Sequence, residues 1–280
     1  MPETAESGRR VVTEDQSDQM PRINSRVATI ARIYDYWLGG KDNFEADRTA
    51  GDAMIEQYPD IVRGVRLNRA FLGRAVHYLA AEAGIRQFLD IGTGLPSANN
   101  THEVAQRAAP ESRIVYADND PIVLAHARVL LASAPEGACA YIDADIRDTG
   151  KILQDAAGTL DFSRPVAVCL IMVLQFVPDG DDPWQVVRTL LDAMPSGSYL
   201  AVAHPANDVD QEVAPALRQL STRMGGTRVT PRSHPEIERF FGGLEMIEPG
   251  LVQLHRWRPG PGVSDNNRNL AAYGGIGRKP

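Results

Sequence analysis

"FLDIGTGLPSANN", residues 88–100, decides how the rest of the chain is read. An apolar run carries one acid, Asp90, and stops at a turn made of Gly92, Thr93 and Gly94; the polar "SANN" then opens a helix. Strand, glycine turn and helix in that order form the opening unit of a doubly wound α/β domain, with its ligand at the carboxyl end of the strand. A dinucleotide fingerprint, G-x-G-x-x-G, needs glycine at 97, where Ser97 stands, and Pro96 takes one N–H out of the turn. Asp90 also opposes a pyrophosphate. Two like charges about 4 Å apart cost about 4 kcal/mol at an effective dielectric near 20. The same carboxylate favours a cation.

Outward from this turn, short apolar runs alternate with helical patterns. "SRIVYAD", "ACAYIDAD", "RPVAVCLIMV" and "GSYLAVAHP" read as strands, and their continuous apolar character predicts a parallel sheet covered on both faces. Asp120 with Pro121, and Asp182 with Pro183, are helix starts. Upstream, helices are predicted over residues 23–38, 46–57 and 61–84, the first stopped by Gly39 and Gly40. The closing "LVQLHRW" and "NLAAYGGIG" suggest a hairpin-like end to the sheet. The expected organisation is a disordered polar tail over 1–20, a helical N-terminal extension or lid over 21–84, and a Rossmann-like domain over 85–280.

Acids recur at successive strand ends. Asp118 closes "VYAD", 24 residues past Gly94, where an acid grips a ribose diol. Asp145 follows the third strand, placed to accept from an adenine amine with Ile146 against the ring. A cation-seeking turn together with an adenosine site points to S-adenosylmethionine as cofactor and S-adenosylhomocysteine as product.

These residues resemble class I S-adenosylmethionine-dependent methyltransferases. "FLDIGTG", "VYADNDP" and "DADI" look like their first three motifs, and "LIMVLQFVPD" and "AMPSGSYLAVAH" like the segments around the fourth and fifth strands. "ARIYDYWLGGKDNFEADR", "RLNRAFLGRAV", "EPGLVQLHRWRP" and "AAYGGIGRKP" are similar to a narrower bacterial S-adenosyl methyltransferase family once classed as a domain of unknown function, over roughly residues 22–280. The resemblance implies a seven-stranded, mainly parallel sheet of order 3-2-1-4-5-7-6 with strand 7 antiparallel and helices on both faces. It also implies cofactor contacts at Asp90, Gly92, Asp118, Asp145 and the stretch Leu170, Ile171 and Met172, to which Thr93, Gly94, Asn119 and Ile146 are neighbours.

The aromatic "YDYWLGGKDNF" reads as core or as a lid whose Tyr34 and Trp37 face the sulfonium and acceptor, since aromatic faces attract cations by about 0.5–2 kcal/mol. Arg69, with Asp42 and Asn43, is a candidate for the amino-acid end of the cofactor, and Gln175 and Phe176 for the acceptor pocket. His204, after the fifth strand, is the candidate general base, against the alternative of a histidine bonded to backbone. Arg22, Arg26 and Arg32 read as a solvated helix face.

The chain has 280 residues and a net charge of −7, which disfavours a nucleic-acid partner. Its two cysteines, Cys139 and Cys169, lie in strand candidates and read as free thiols. There is no metal-binding pattern, no membrane span and no signal-peptide core, so a cytoplasmic protein is expected. The leading function is methyl transfer to a small-molecule acceptor. A non-catalytic cofactor-binding module and an NAD-dependent oxidoreductase are the alternatives. Oligomeric state is left open.

Overall fold

The computed structural model describes residues 23–130, 133–260 and 268–280. The tail expected to be disordered over 1–20 lies outside them. Five parallel strands form the centre: β1 (Gln87–Ile91), β2 (Arg113–Asp118), β3 (Ala138–Asp143), β4 (Ala167–Ile171) and β5 (Tyr199–Pro205). All five residues of β1 and of β4 are buried, as strands sandwiched between helical layers must be. Alternate side chains serve opposite faces. Leu89, Val115, Val168 and Val202 pack on one side with α6 (Thr149–Ala156) and α7 (Pro183–Asp192). Phe88, Ile114, Cys169 and Ala201 pack on the other with α3 (Ile61–His77) and α4 (Thr101–Ala108). The remaining crossover helix, α5 (Pro121–Leu130), follows β2. Both cysteines are free thiols.

The sheet runs β3-β2-β1-β4-β5-β8-β6, with β8 (Ala272–Arg278) antiparallel to β5. It has eight strands and not seven. The strand expected in "LVQLHRW" is β7 (Val252–Gln253), and an extra short strand, β6 (Glu245–Met246), precedes it; both are antiparallel to β8. The stretch between them contains Pro249, which has no N–H for the ladder.

A third layer is wholly helical. It comprises α1 (Ile30–Leu38), α2 (Glu45–Gln57), the first turns of α3, and α8 (Val213–Arg223), packed through Ile33, Trp37, Met54, Val65, Val213 and Leu220. Two features here depart from expectation. The first helix starts at Ile30, seven residues later than predicted, because residues before it fold back onto α2: Thr29 N–H donates to Asp47 Oδ1 at 3.0 Å. Arg32 is not solvated. It is buried, its Nε lies 2.9 Å from the buried carboxylate of Asp47, and its Nη2 donates to the carbonyls of Val27 and Asn24. Asp47 also accepts from Phe44 N–H at 2.8 Å, so one carboxylate caps α2 and holds α1 to it. The short α9 (His234–Glu238) lies beside the α7 layer.

Candidate functional site

A cavity of 670 Å³ opens where the helical layer covers the carboxyl ends of β1 to β5. That is the place and the size of a ligand site in this architecture. Its floor is the glycine turn. Gly92 has φ +73°, and a Cβ there would come 2.3 Å from Val173 Cγ2, so only glycine fits.

Three of the N–H groups of this turn are already used. Gly92 N–H donates to Ala117 O at 2.8 Å, Gly94 N–H to Asp118 Oδ2 at 2.8 Å, and Ser97 N–H to Asn100 Oδ1 at 3.0 Å. Pro96 has none to offer. A phosphate cradle needs such donors aimed at the ligand. Here Gly92, Gly94 and Ser97 turn theirs onto protein acceptors, beside a carboxylate-rich rim.

Asp90 is buried on the α4 side of β1 and accepts from Thr101 Oγ1 at 2.6 Å. Burial pushes its pKa up to about 6, with the Thr101 bond and the Arg69 charge opposing. Asp118 accepts from Gly94 N–H and, through Oδ1, from Asp120 N–H at 2.9 Å; burial raises its pKa. Asp145 differs. Its Oδ1 takes Arg147 N–H and Nε at 2.9 and 2.8 Å, and its Oδ2 takes Arg147 Nη2 and Asn119 Nδ2 at 2.8 and 3.0 Å. Those bonds, the Arg147 fork first, hold its pKa down. A carboxylate has about four lone-pair positions, and here all are filled. The adenine amine expected at Asp145 therefore has no vacant acceptor there.

Thr93, Ile146, Ile171 and Met172 also line the cavity. Met172 has φ +56°, a left-handed backbone that a non-glycine residue holds only under constraint, and its carbonyl accepts from Gln175 Nε2 at 2.7 Å. Arg69 Nη2 donates to Ala98 O at 3.0 Å and Asn99 O at 3.2 Å, clamping the loop behind the glycine turn. Tyr34 hydroxyl donates to Val65 O at 3.3 Å and accepts from Asn68 Nδ2 at 2.7 Å; burial pushes its pKa up to about 12.

Three expected site residues are elsewhere. Leu170 is fully buried in the sheet core on the α6 and α7 side. Trp37 is packed inside the helical layer, its Nε1 donating to Gly51 O at 3.3 Å. His204 is fully buried and lies on the opposite face of β5 from Ala203, against Phe240. Its Nδ1–H donates to Pro205 O at 2.9 Å, so Nε2 carries the lone pair, and that lone pair receives Arg232 Nη1 at 2.9 Å. Burial pushes its pKa down to about 3. A base with its only lone pair on a buried guanidinium cannot take a proton from a substrate, so His204 is not the general base. Asp42 and Asn43 do not line the cavity either; Asn43 Nδ2 is spent on Asp35 Oδ2 at 2.8 Å.

Gln175 and Phe176 line the cavity as expected, and α8 adds a wall through Val213, Leu217 and Leu220. Asn68, on α3, was not singled out in advance. Its signal was available: a polar residue between Val65 and Leu72 on an otherwise apolar helical stripe. Four buried oxygens on cavity-lining residues lack a hydrogen-bond partner among the described residues: Thr29 Oγ1, Asn68 Oδ1, Ser97 Oγ and Gln175 Oε1. Such acceptors cost about 1–3 kcal/mol each if left unpaired. Two amide acceptors and two hydroxyls without partners, beside acidic strand tips, fit a ligand that brings N–H, O–H and positive charge. S-adenosylmethionine has an ammonium, a ribose diol, an adenine amine and a sulfonium.

This fold and cavity are those of an S-adenosylmethionine-dependent methyltransferase. The chain belongs to the S-adenosyl methyltransferase family, whose profile matches residues 16–280. It is similar to a DUF574 family protein of Streptomyces avermitilis MA-4680, with 49% identity over 92% of this chain and 100% of that one and a TM-score of 0.89. A protein of Thermobifida fusca YX for which methyltransferase activity is proposed shares 42% identity over 91% of this chain and 96% of that one, with a TM-score of 0.83. The plantazolicin methyltransferase BpumL, solved with S-adenosylhomocysteine, shares the fold at 9% identity, covering 89% of this chain and 96% of BpumL, with a TM-score of 0.50. No curated protein matches the chain. Among the described residues no helix is long and apolar enough to cross a membrane.

Proposed function

We propose that the protein transfers the methyl group of S-adenosylmethionine to a small-molecule acceptor, with the cofactor over β1 to β3 and the acceptor over β4, β5 and the helical layer. The observation that carries this reading is the glycine turn: the N–H groups of Gly92, Gly94 and Ser97 serve Ala117, Asp118 and Asn100 while Asp90 and Asp118 line the floor beside them, so the floor offers carboxylate charge to the ligand. Asp118 and Asn119 take the ribose hydroxyls. Ile146, Ile171 and Met172 pack against the nucleoside, and Asp145 acts on it only by anchoring Arg147 and Asn119. Asp90 supplies negative charge beneath Gly92, Thr93 and Gly94. Arg69 faces the amino-acid carboxylate, with Tyr34 alongside.

When bound, the cofactor supplies an electrophilic methyl carbon whose bond to sulfur breaks with its electron pair going to sulfur, leaving a neutral thioether. The chain's part is placement, a source of up to about 7–11 kcal/mol in well-oriented reactions. The helices of residues 21–84 act as a lid. They exclude water, and Gln175 and Phe176 border the path of the incoming nucleophile. No histidine or lysine lines the cavity among the described residues, so the acceptor's proton leaves to a carboxylate or to water.

Incubation with methyl-labelled S-adenosylmethionine and a cell extract separated by mass tests this. Label is expected in a low-mass species other than the cofactor, formed only when the enzyme is present. Label confined to protein or nucleic acid would contradict a small-molecule acceptor.

A further inference from the structure

The cavity has two unlike halves. Over β1, β2 and β3 it is polar, with the glycine turn, Asp90, Asp118 and Asp145. Over β4, β5 and the antiparallel edge it is walled by Met54, Val65, Val213, Leu217, Leu220 and Met224, from α2, α3 and α8. A cationic nucleoside has no use for that second wall. An apolar wall facing empty volume is stabilised by a ligand that removes it from water, at about 25 cal/mol for each Å² covered.

Two polar groups stand where the halves meet. Asn68 is on α3, one residue before Arg69, which clamps the loop after β1. Gln175 follows β4, the strand beside β1. Each amide is oriented by its own bonds. Tyr34 hydroxyl donates to Val65 O, so it must accept from Asn68 Nδ2, which leaves Asn68 Oδ1 as the unpaired end. Gln175 Nε2 donates to Met172 O, which leaves Gln175 Oε1 unpaired. Both side chains are more than nine-tenths buried. Two amides with unpaired oxygens, closed off from solvent, thus border the seam between the methyl source and the apolar chamber, and each gains a partner if a ligand brings an N–H or O–H to that seam.

Charge narrows the class further. The two arginines of the lining, Arg69 and Arg147, belong to the polar half, and no arginine, lysine or histidine among the described residues lines the helix-walled half, so an anion there finds no counter-charge. We infer that the methyl acceptor is a predominantly apolar, uncharged or cationic small molecule that lies in the helix-walled half and presents its nucleophilic N–H or O–H at the seam bordered by Asn68 and Gln175. The inference rests on the cofactor occupying the other half. In the transfer, the acceptor's lone pair forms the bond to the methyl carbon, the carbon–sulfur pair goes to sulfur, and the acceptor's proton passes to a carboxylate or to water.

The test uses the full chain saturated with S-adenosylhomocysteine and four bicyclic probes: 2-naphthol, 2-naphthylamine, naphthalene and 2-naphthalenesulfonate. Binding is read by probe fluorescence and by calorimetry. The naphthol or the naphthylamine is expected to bind without displacing S-adenosylhomocysteine, at least about tenfold tighter than naphthalene, with the sulfonate weakest. The ranking of the first two assigns the acceptor atom to oxygen or nitrogen. Leu217→Phe and Val213→Phe, which fill the apolar half, should each weaken the best probe about tenfold while S-adenosylhomocysteine affinity stays within about twofold, the latter also proving the fold intact. Gln175→Leu should shrink the advantage of the donor-bearing probe over naphthalene. Sulfonate binding as tight as naphthol, or naphthol displaced by S-adenosylhomocysteine, overturns the inference. Failure of the unaltered chain to bind S-adenosylhomocysteine at all would instead strike the cofactor reading beneath it.

Discussion

Where the cavity meets the sheet, its polar groups are fixed by short local bonds: Asp118 to the turn at Gly94, Thr101 to Asp90, Arg147 to Asp145. Where it meets the helices, shape comes from apolar packing around one buried ion pair, Arg32 with Asp47. The first wall is rigid and chemically specific. The second is a packed layer laid over it, joined to the sheet chiefly through α3, whose Phe71 and Leu72 sit in the sheet's own core while Val65 sits in the layer. The difference suggests a division of labour, with the cofactor read by the sheet and the acceptor by the cover.

The largest expected effect breaks the cover. Asp47→Ala leaves Arg32 buried without its counter-charge and removes the cap of α2, so unfolding free energy should fall by about 3–5 kcal/mol in urea titration. The paired change Arg32→Met with Asp47→Leu should recover part of that loss, because the unpaired charge is gone.

Next comes Asp90, where stability and binding should move in opposite directions. The unfolded chain ionises Asp90 near its ordinary value of 3.8 and the folded chain near 6. Between those values the folded state holds more protons, so stability falls as pH rises through the window, by about 3 kcal/mol in all. Affinity for S-adenosylmethionine should rise over the same window, as the carboxylate that attracts the cation ionises. Asp90→Asn, which keeps an acceptor for Thr101, should flatten both profiles near pH 6, raise the melting temperature and weaken the cofactor. An unaltered pH profile in that variant would assign the dependence to another group.

Smaller effects sharpen the contrast within the strand tips. Asp118→Asn should weaken S-adenosylhomocysteine binding by at least about tenfold, or 1.4 kcal/mol, by calorimetry. Asp145→Asn should cost only about 0.5 kcal/mol, since Asp145 meets Arg147 and Asn119 before it meets a ligand. Equal losses at the two positions would show that the ligand displaces Asn119 and takes Asp145 directly.

The strand tips were legible in the sequence because their signals are local. A buried run ending in D-x-G-x-G, and an acid at the close of the next strand, need no tertiary knowledge. What the turn does with its N–H groups was not legible, since Gly94 finds its acceptor 24 residues away. His204 was misplaced for want of parity. It neighbours Pro205, which lines the cavity, but successive strand residues face opposite sides, and Ala203 belongs to the α3 and α4 face. Arg32 was misread because spacing among basic residues says nothing of a buried partner on another helix. The α8 wall was missed although Val213, Ala216, Leu217 and Leu220 recur at helical spacing, since Glu212 makes no side-chain cap to mark its start. Local chemistry named the cofactor's half, and long-range packing shaped the acceptor's half.

A glycine turn that spends the N–H groups of Gly92, Gly94 and Ser97 on the protein itself, with Asp90 and Asp118 beside them, receives a cationic nucleoside and refuses a diphosphate. Calorimetry of the full chain with S-adenosylhomocysteine and with NAD, side by side in one buffer, tests it most directly. The account predicts saturable binding of S-adenosylhomocysteine and no detectable heat from NAD; tight NAD binding with no response to S-adenosylhomocysteine would contradict it.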